Sequence, residues 1–498
     1  MKKGISNVLF SVLAQAVTII VGFLLPKYII MEYGSEMNGL LSSTNQILVY
    51  LGLFEAGVGN ATIQALYKPI VEDDKKRINA ILSATRTFYN RAGVYYIFAV
   101  VIVALIYAFS VPSGIPWLTI AGIILASGLG SVLNYWGFGK YKAFLQAEGR
   151  GYVANNLATI AYVFSNIGKI ILVTYGYSLV LVQCMQLVYY IIQTIGILIY
   201  IRTRYDWIDT KVTPDLKAIS QKNAVLLHQI SSLIFSNTDV LILTMFCGFA
   251  VVSMYNMYNQ IYSIVMNLIT TMVGSIIYVF GKIYCENPNN YGKYHDLFES
   301  AYIGLGMAVF SAIYVATIPF VKLYTRGFSD MDYMNYVVPI LFLMIQFLNI
   351  ARGASNNLIN IVGDFEETKN RAVLEMVINI VVSIICVNKF GIYGVLFGTI
   401  VALFYRTNDM LIYANRIILK RSILKSYVKV SFNLLITIII IWFNNRYICF
   451  VPQNYFELAI FSVCTGMCTL LIYGTVNVAM EYKGIRECIQ TRIRNVVR

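Results

Sequence analysis

Ten ionisable residues sit inside long apolar stretches of this chain: Lys27, Glu55, Arg86, Arg91, Lys169, Asp239, Arg352, Glu375, Arg406 and Asp409. A charge in hydrocarbon is expensive, so such residues face a protein interior or a wet cavity, or pair with one another. The cations outnumber the carboxylates, six to four. A guanidinium keeps its charge at any physiological pH and grips phosphate oxygens through two parallel N–H donors. Arg352, Arg86, Arg91 and Arg406, with Lys27 and Lys169, are therefore the candidates for holding a diphosphate. The plainer alternatives differ by residue; Arg352, about three turns from its helix end, is the least able to reach out to the headgroups. Arg86 and Arg91 can reach out to the headgroup layer. Arg406 and Asp409, three residues apart, can form a structural pair on one helix face. Lys27 and Lys169, near span ends, can act as anchors. Glu55 and Asp239 are the candidates for ion coupling, because a carboxylate in a low-dielectric site can exchange its charge for a proton. Their alternative is a cross-helix partnership with Lys or Arg, and for Glu375 that is the preferred reading.

The elements that must position these groups follow from composition. Hydrophobic residues make up 58% of the 498 residues and charged residues only 12%, against roughly 25% charged in a soluble domain. Mean hydropathy is +0.68. So apolar a chain cannot clothe a soluble surface, which excludes a soluble enzyme, a nucleic-acid module and a disordered scaffold. Apolar stretches recur from 8–30 to 457–479, enough for about fourteen transmembrane helices of about 20 residues each. Met1-Lys2-Lys3 leads into a long apolar run, read as a retained first span. The eight cysteines form no Cys-x-x-Cys pair, and the only histidines are His228 and His295. That leaves little for a metal centre, and no cofactor is expected.

Orientation follows from the basic residues. With the N-terminus inside, about 28 of the 38 Lys and Arg fall in inner segments, and the outer loops hold only Lys322, Arg326, Lys389 and Arg446. Both termini are therefore expected in the cytoplasm. A reporter fused after Arg498 should be active only in its cytoplasmic form, and its export would overturn this topology.

The chain also resembles itself at an offset of 214 residues. Gly34 matches Gly248, Asn45-Gln46-Ile47 matches Asn259-Gln260-Ile261, Lys68 matches Lys282, Gly139 matches Gly353 and Gly149 matches Gly363. Six helices per repeat is an even number, so the halves would insert in the same direction. The expected organisation is an N-terminal six-helix bundle (1–204), a cytoplasmic linker (205–221) and a second six-helix bundle (222–420). Two extra helices (421–480) and a basic cytoplasmic tail (481–498) follow. The fold class is all-α and membrane-integral, two parallel bundles around a central cavity.

Gly34-Ser35-Glu36-Met37-Asn38-Gly39 resembles the G-P-x-x-[YF]-G turn after the first helix of Wzx-type polysaccharide flippases. These belong to the multidrug/oligosaccharidyl-lipid/polysaccharide (MOP) exporter superfamily. Leu51-Gly52-Leu53-Phe54-Glu55-Ala56-Gly57-Val58-Gly59 resembles their second helix. Asp239, Gly363-Asp364 and Phe390-Gly391-Ile392-Tyr393-Gly394 stand at matching places, so the resemblance covers about residues 5–480. The sequence departs from the pattern at Ile30 and Met31, where the family has a basic residue whose role Lys27 would take, and at Ser35 and Asn38 in the turn. The resemblance implies a flippase carrying a polyprenyl-diphosphate-linked glycan across the bacterial plasma membrane. Its surroundings would be membrane lipids, with a polysaccharide polymerase and glycosyltransferases in the same pathway and no nucleic acid. Two alternatives share the superfamily: a drug/cation antiporter, which calls for an acidic or aromatic cavity, and a lipid II flippase. A membrane polymerase or glycosyltransferase is the alternative of another class, and the short outer loops count against it.

Overall fold

The computed structural model describes residues 2–111, 113–217, 237–286, 291–448, 450–482, 484 and 486; among these the side chains of 2–16, 53–57, 275, 278, 365 and 366 are not described. These residues are mostly helical, and none of them is in a strand. Ten of their helices are long and apolar enough to cross a membrane, and a further pair, Phe249–Gly274 with Val279–Glu286, is bent by 43°. The protein is thus a multi-pass membrane protein. Its contacts group into two compact units, Met1–Ser253 and Met254–Arg498.

The first unit contains α1 (Lys2–Tyr33), α2 (Ser35–Leu51), α3 (Leu53–Val71), α4 (Lys75–Ser110) and α5 (Trp117–Leu129). After a π-helical turn (Asn134–Phe138) come α6 (Gly139–Ala147), α7 (Gly151–Thr174), α8 (Leu179–Arg204) and α9 (Asn237–Cys247). The first residues of α10 (Phe249–Glu286) complete it. Within the first unit α2 is tied to α9 and to the start of α10. Ser43 bonds Thr244 at 2.8 Å, Tyr50 bonds Thr238 at 3.0 Å, and the Asn38 amide donates to Ser253 Oγ at 2.7 Å. At Gly39 the chains approach so closely that a Cβ would lie 1.7 Å from the Phe249 carbonyl oxygen. The segment expected as a linker is itself stitched to α4: Asn79 donates to the Trp207 carbonyl, Ser83 to that of Val212 and Arg86 to that of Thr210.

The second unit contains the rest of α10, then α11 (Tyr291–Tyr324), α12 (Val338–Val362), α13 (Phe365–Phe390) and α14 (Ile392–Ile412). A second π-helical turn (Tyr413–Ile418) leads to α15 (Leu424–Tyr447) and α16 (Tyr455–Met480). The backbone echoes the 214-residue offset. Gly34 and Gly248 have φ of 87° and 82°, and Gly149 and Gly363 have 78° and 86°, a left-handed region that glycine enters without a Cβ clash. Gly139 and Gly353 each meet a tyrosine ring, Tyr89 of α4 and Tyr302 of α11.

Two polar seams order the second unit. Gly394 and Gly398, one turn apart, let α14 approach α13 closely: a Cβ at Gly398 would lie 2.2 Å from Ser383 Oγ and 2.7 Å from its nitrogen. Small residues four apart permit such contact, and polar groups then bridge the helices. Asn379 donates to Thr399 at 2.9 Å on this seam. The second seam holds α15 and α16 on α11. Tyr473 bonds both Ser311 and Thr437, and the Asn433 and Asn477 amides exchange hydrogen bonds. Asn454 caps α16 by accepting from the Glu457 nitrogen, while Glu457 accepts from that of Gln453.

Candidate functional site

Continued past Asn379 and Thr399, the first seam reaches a cluster of five charges. Each is placed by helix periodicity. Arg371 and Glu375 lie four apart on α13, one turn before Asn379. On α14, Arg406 continues the four-residue row that runs from Gly394 through Gly398 and Ala402, with Asp409 one turn further. Arg352 reaches in from α12, ten residues before the end of that helix.

Arg352 Nη1 lies 2.6 Å from Glu375 Oε1, while its Nη2 donates to Asn349 Oδ1 at 2.9 Å. Arg406 stands between the two carboxylates, its Nε 3.4 Å from Glu375 Oε2 and its Nη1 2.6 Å from Asp409 Oδ2. Arg371 Nη1 holds the other Asp409 oxygen at 2.6 Å, and its Cζ lies 5.0 Å from the centre of the Tyr413 ring. The Tyr413 hydroxyl donates to Asp364 at 3.0 Å. Three guanidiniums thus share two carboxylates. Arg406 is buried, its side chain only 6% exposed, whereas Arg352 is 18% and Arg371 35% exposed.

The other sequence candidates belong to the first unit. Arg86 donates to the Thr210 carbonyl at 3.3 Å, and Arg91 is exposed on α4. Lys169 is buried between α7 and α8, donating to Gln183 at 3.4 Å and Gln186 at 3.1 Å. Lys27 is half-buried on α1, and Asp239 is buried on α9. Glu55 belongs to α3, but its side chain is outside the described residues, as is His228 altogether. Of the six cationic candidates, Arg352 and Arg406 are brought into one network, joined there by Arg371, which is not among the sequence candidates.

A second charge cluster is absent from the sequence candidates. Lys429, 2% exposed, lies 3.1 Å from Glu299, 3.0 Å from Glu481 and 3.6 Å from Asp296. Lys425 and Arg421 each reach Asp296 at 2.7 Å. Three cations meet three carboxylates. His295, Asp296 and Glu299 have ligand-type atoms within 4.8 Å of one another, as a metal site requires; the ammonium and guanidinium groups already neutralise those carboxylates. Its sequence signal was a polar row at four-residue spacing through an apolar helix: Arg421, Lys425, Lys429, Asn433 and Thr437.

No protein-family model and no curated protein matches the sequence. Solved structures do match the fold. A lipid II flippase, MurJ, in an inward closed conformation, aligns over 95% of this chain and 99% of its own, with a TM-score of 0.70 and 14% identity. An inward-facing multidrug resistance MATE family transporter of the MOP superfamily aligns over 84% of this chain and 96% of its own, with a TM-score of 0.59 and 16% identity. The chain has the fold of the MOP transporters.

Proposed function

We propose that the protein is a flippase that moves a polyprenyl-diphosphate-linked oligosaccharide from the inner to the outer leaflet of a bacterial plasma membrane, both termini in the cytoplasm. The observation that carries this reading is the partly buried network of Arg352, Arg371 and Arg406 with Glu375 and Asp409 in a chain of the MOP fold. In the resting network Glu375 holds Arg352 and Arg406 together. A diphosphate presents more charge and more acceptor oxygens than one carboxylate, and guanidiniums match it bidentately. It displaces Glu375, which the Arg406 charge still stabilises nearby. Release on the far side restores the ion pair, so the guanidiniums are never left in low dielectric without an anion. No bond is made or broken in the substrate, and no cofactor is needed. Alternating access of the two bundles supplies the movement. Glycosyltransferases would make the substrate and a polymerase would use the product.

A lipid II flippase is the second reading. The fold likeness to MurJ favours it, and its substrate is again lipid-linked. The test is reconstitution in vesicles with a fluorescent polyprenyl-diphosphate oligosaccharide, an equal amount of lipid II and, separately, a cationic dye under a proton gradient. Protein-dependent flipping of the oligosaccharide is expected. Movement of lipid II alone would transfer the assignment to that substrate. Dye accumulation with no lipid movement would overturn the flippase reading.

A further inference from the structure

We propose that a cavity of about 710 Å³ at one end of the second unit binds the phosphate-bearing headgroup of an anionic lipid, apart from the transported substrate. Its volume falls within the range of small-molecule sites, about 300–1,000 Å³. It opens where α10 ends, α11 begins, α12 ends and the chain leaves the π-helical turn Tyr413–Ile418. One wall is cationic, formed by Lys293, Lys420 and Arg421; another is apolar, formed by Val362, Ile417 and Ile418. A free phosphate has no use for the apolar wall, and an acyl chain has none for the cations. A headgroup with the root of its acyl chains satisfies both, and basic pockets between membrane helices are a recurrent way of holding one.

The two carboxylates on the lining reduce this character without cancelling it: Asp296 is shared between Arg421 and Lys425, each at 2.7 Å, and Asp364, which accepts from the Tyr413 hydroxyl at 3.0 Å, keeps its charge against the rim cations Lys293 and Lys420. Arg421 is fixed as well: its Nε donates to Asn415 at 2.8 Å and its Nη1 to the Gly292 carbonyl at 3.0 Å. It forms a rigid cationic floor, while Lys293 and Lys420 are exposed at the rim.

Lys420 gives the second, independent sign. Its φ is +49°, in the left-handed region. The Arg421 nitrogen closes the turn on the Asn415 carbonyl at 2.9 Å, so Lys420 occupies the helix-ending position where glycine is strain-free. The turn needs no side chain there. What lysine adds is an ammonium at the cavity mouth, and strain at a non-glycine residue is a mark of functional positions.

This arrangement gives a variant that keeps the fold. Lys420→Gly preserves the turn without strain, and Lys293→Gln removes a charge exposed at the rim. The double variant and the parent are placed in nanodiscs of phosphatidylcholine with phosphatidylglycerol, then released for native mass spectrometry, with thermal midpoints measured alongside. The parent should retain phosphatidylglycerol over phosphatidylcholine. The double variant should lose that preference by roughly tenfold or more with an unchanged midpoint. Arg446→Gln, an exposed cation outside the cavity, should keep the preference. Equal retention by parent and double variant, or equal loss in the Arg446 control, would refute the site. A third arm adds sn-glycerol 3-phosphate: protection by this soluble phosphate with no lipid preference would also refute a lipid headgroup as the occupant. All arms read lipid retention rather than transport, so they are independent of the flippase reading.

Discussion

Lys429→Met is expected to remove most of the folded protein. The ammonium is 2% exposed and faces three carboxylates, of which Glu299 is fully buried and Glu481 nearly so. Deleting one partner of a buried ion pair leaves uncompensated charge and destabilises by about 3–5 kcal/mol. Arg421 and Lys425 remain, two cations against three carboxylates, and Lys425 is half-exposed and less able to compensate. The consequence is local first: α15 and α16 lose their hold on α11. Solubilised Lys429→Met should show a lowered thermal midpoint and a collapsed monodisperse peak. Adding Glu299→Gln restores two cations against two carboxylates and should recover most of the loss, since removing both members of a buried pair is far less damaging than removing one. A single variant with the parental midpoint would mean that the cluster does not hold this helix pair.

Arg352→Ala is expected to weaken binding of a polyprenyl-diphosphate glycan by about tenfold to a hundredfold, because a hydrogen bond to a charged group is worth roughly 1.5–3 kcal/mol. Folded yield should fall much less, because Glu375 still has Arg406 at 3.4 Å. Arg352→Lys keeps the charge but loses the fork and should retain part of the affinity. Glu375→Gln should act in the opposite direction on binding. It frees Arg352 and Arg406 from their internal anion, so the diphosphate binds more tightly while turnover slows, since release no longer restores the ion pair. The measurements are equilibrium binding and flipping rate on purified protein, each normalised to the monodisperse fraction. Parental flipping by well-folded Arg352→Ala would remove this residue from the site. A loss of flipping matched by an equal loss of folded protein would make the arginine structural.

Arg352 illustrates how far the sequence was legible. Its depth in an apolar helix marked it as interior, because a lipid-facing guanidinium is costly whatever the fold. Its partner was not legible. Glu375 lies 23 positions away on another helix, and nothing in spacing distinguishes it from Asp409 as the counter-charge. Arg406 with Asp409 was different: three residues apart on one helix, they are neighbours by periodicity alone, and they lie 2.6 Å apart. Arg371 is not among the sequence candidates, yet α13 begins at Phe365 and carries it to Asp409 as the third guanidinium. Arg86 has the reverse history. Its charge and depth matched a phosphate ligand, while the chain returning after α8 presents the Thr210 carbonyl to it.

The sequence by itself determined that this chain resides in a membrane as helices, since 58% hydrophobic residues in long stretches leave no other way to satisfy the backbone. It also carried the identities at an offset of 214 residues, and at two of those glycine pairs, Gly34 with Gly248 and Gly149 with Gly363, the backbone takes a left-handed φ that other residues enter only with strain. These are local properties, set by composition and by single backbone angles. Only the tertiary structure decided which charges are one another's counter-ions. That depends on helices distant in sequence: on Gly394 and Gly398 drawing α14 against α13, and on α11 meeting α15 and α16. An ion pair is a matter of ångströms between groups, and a linear pattern specifies the face of a helix without specifying what lies opposite it.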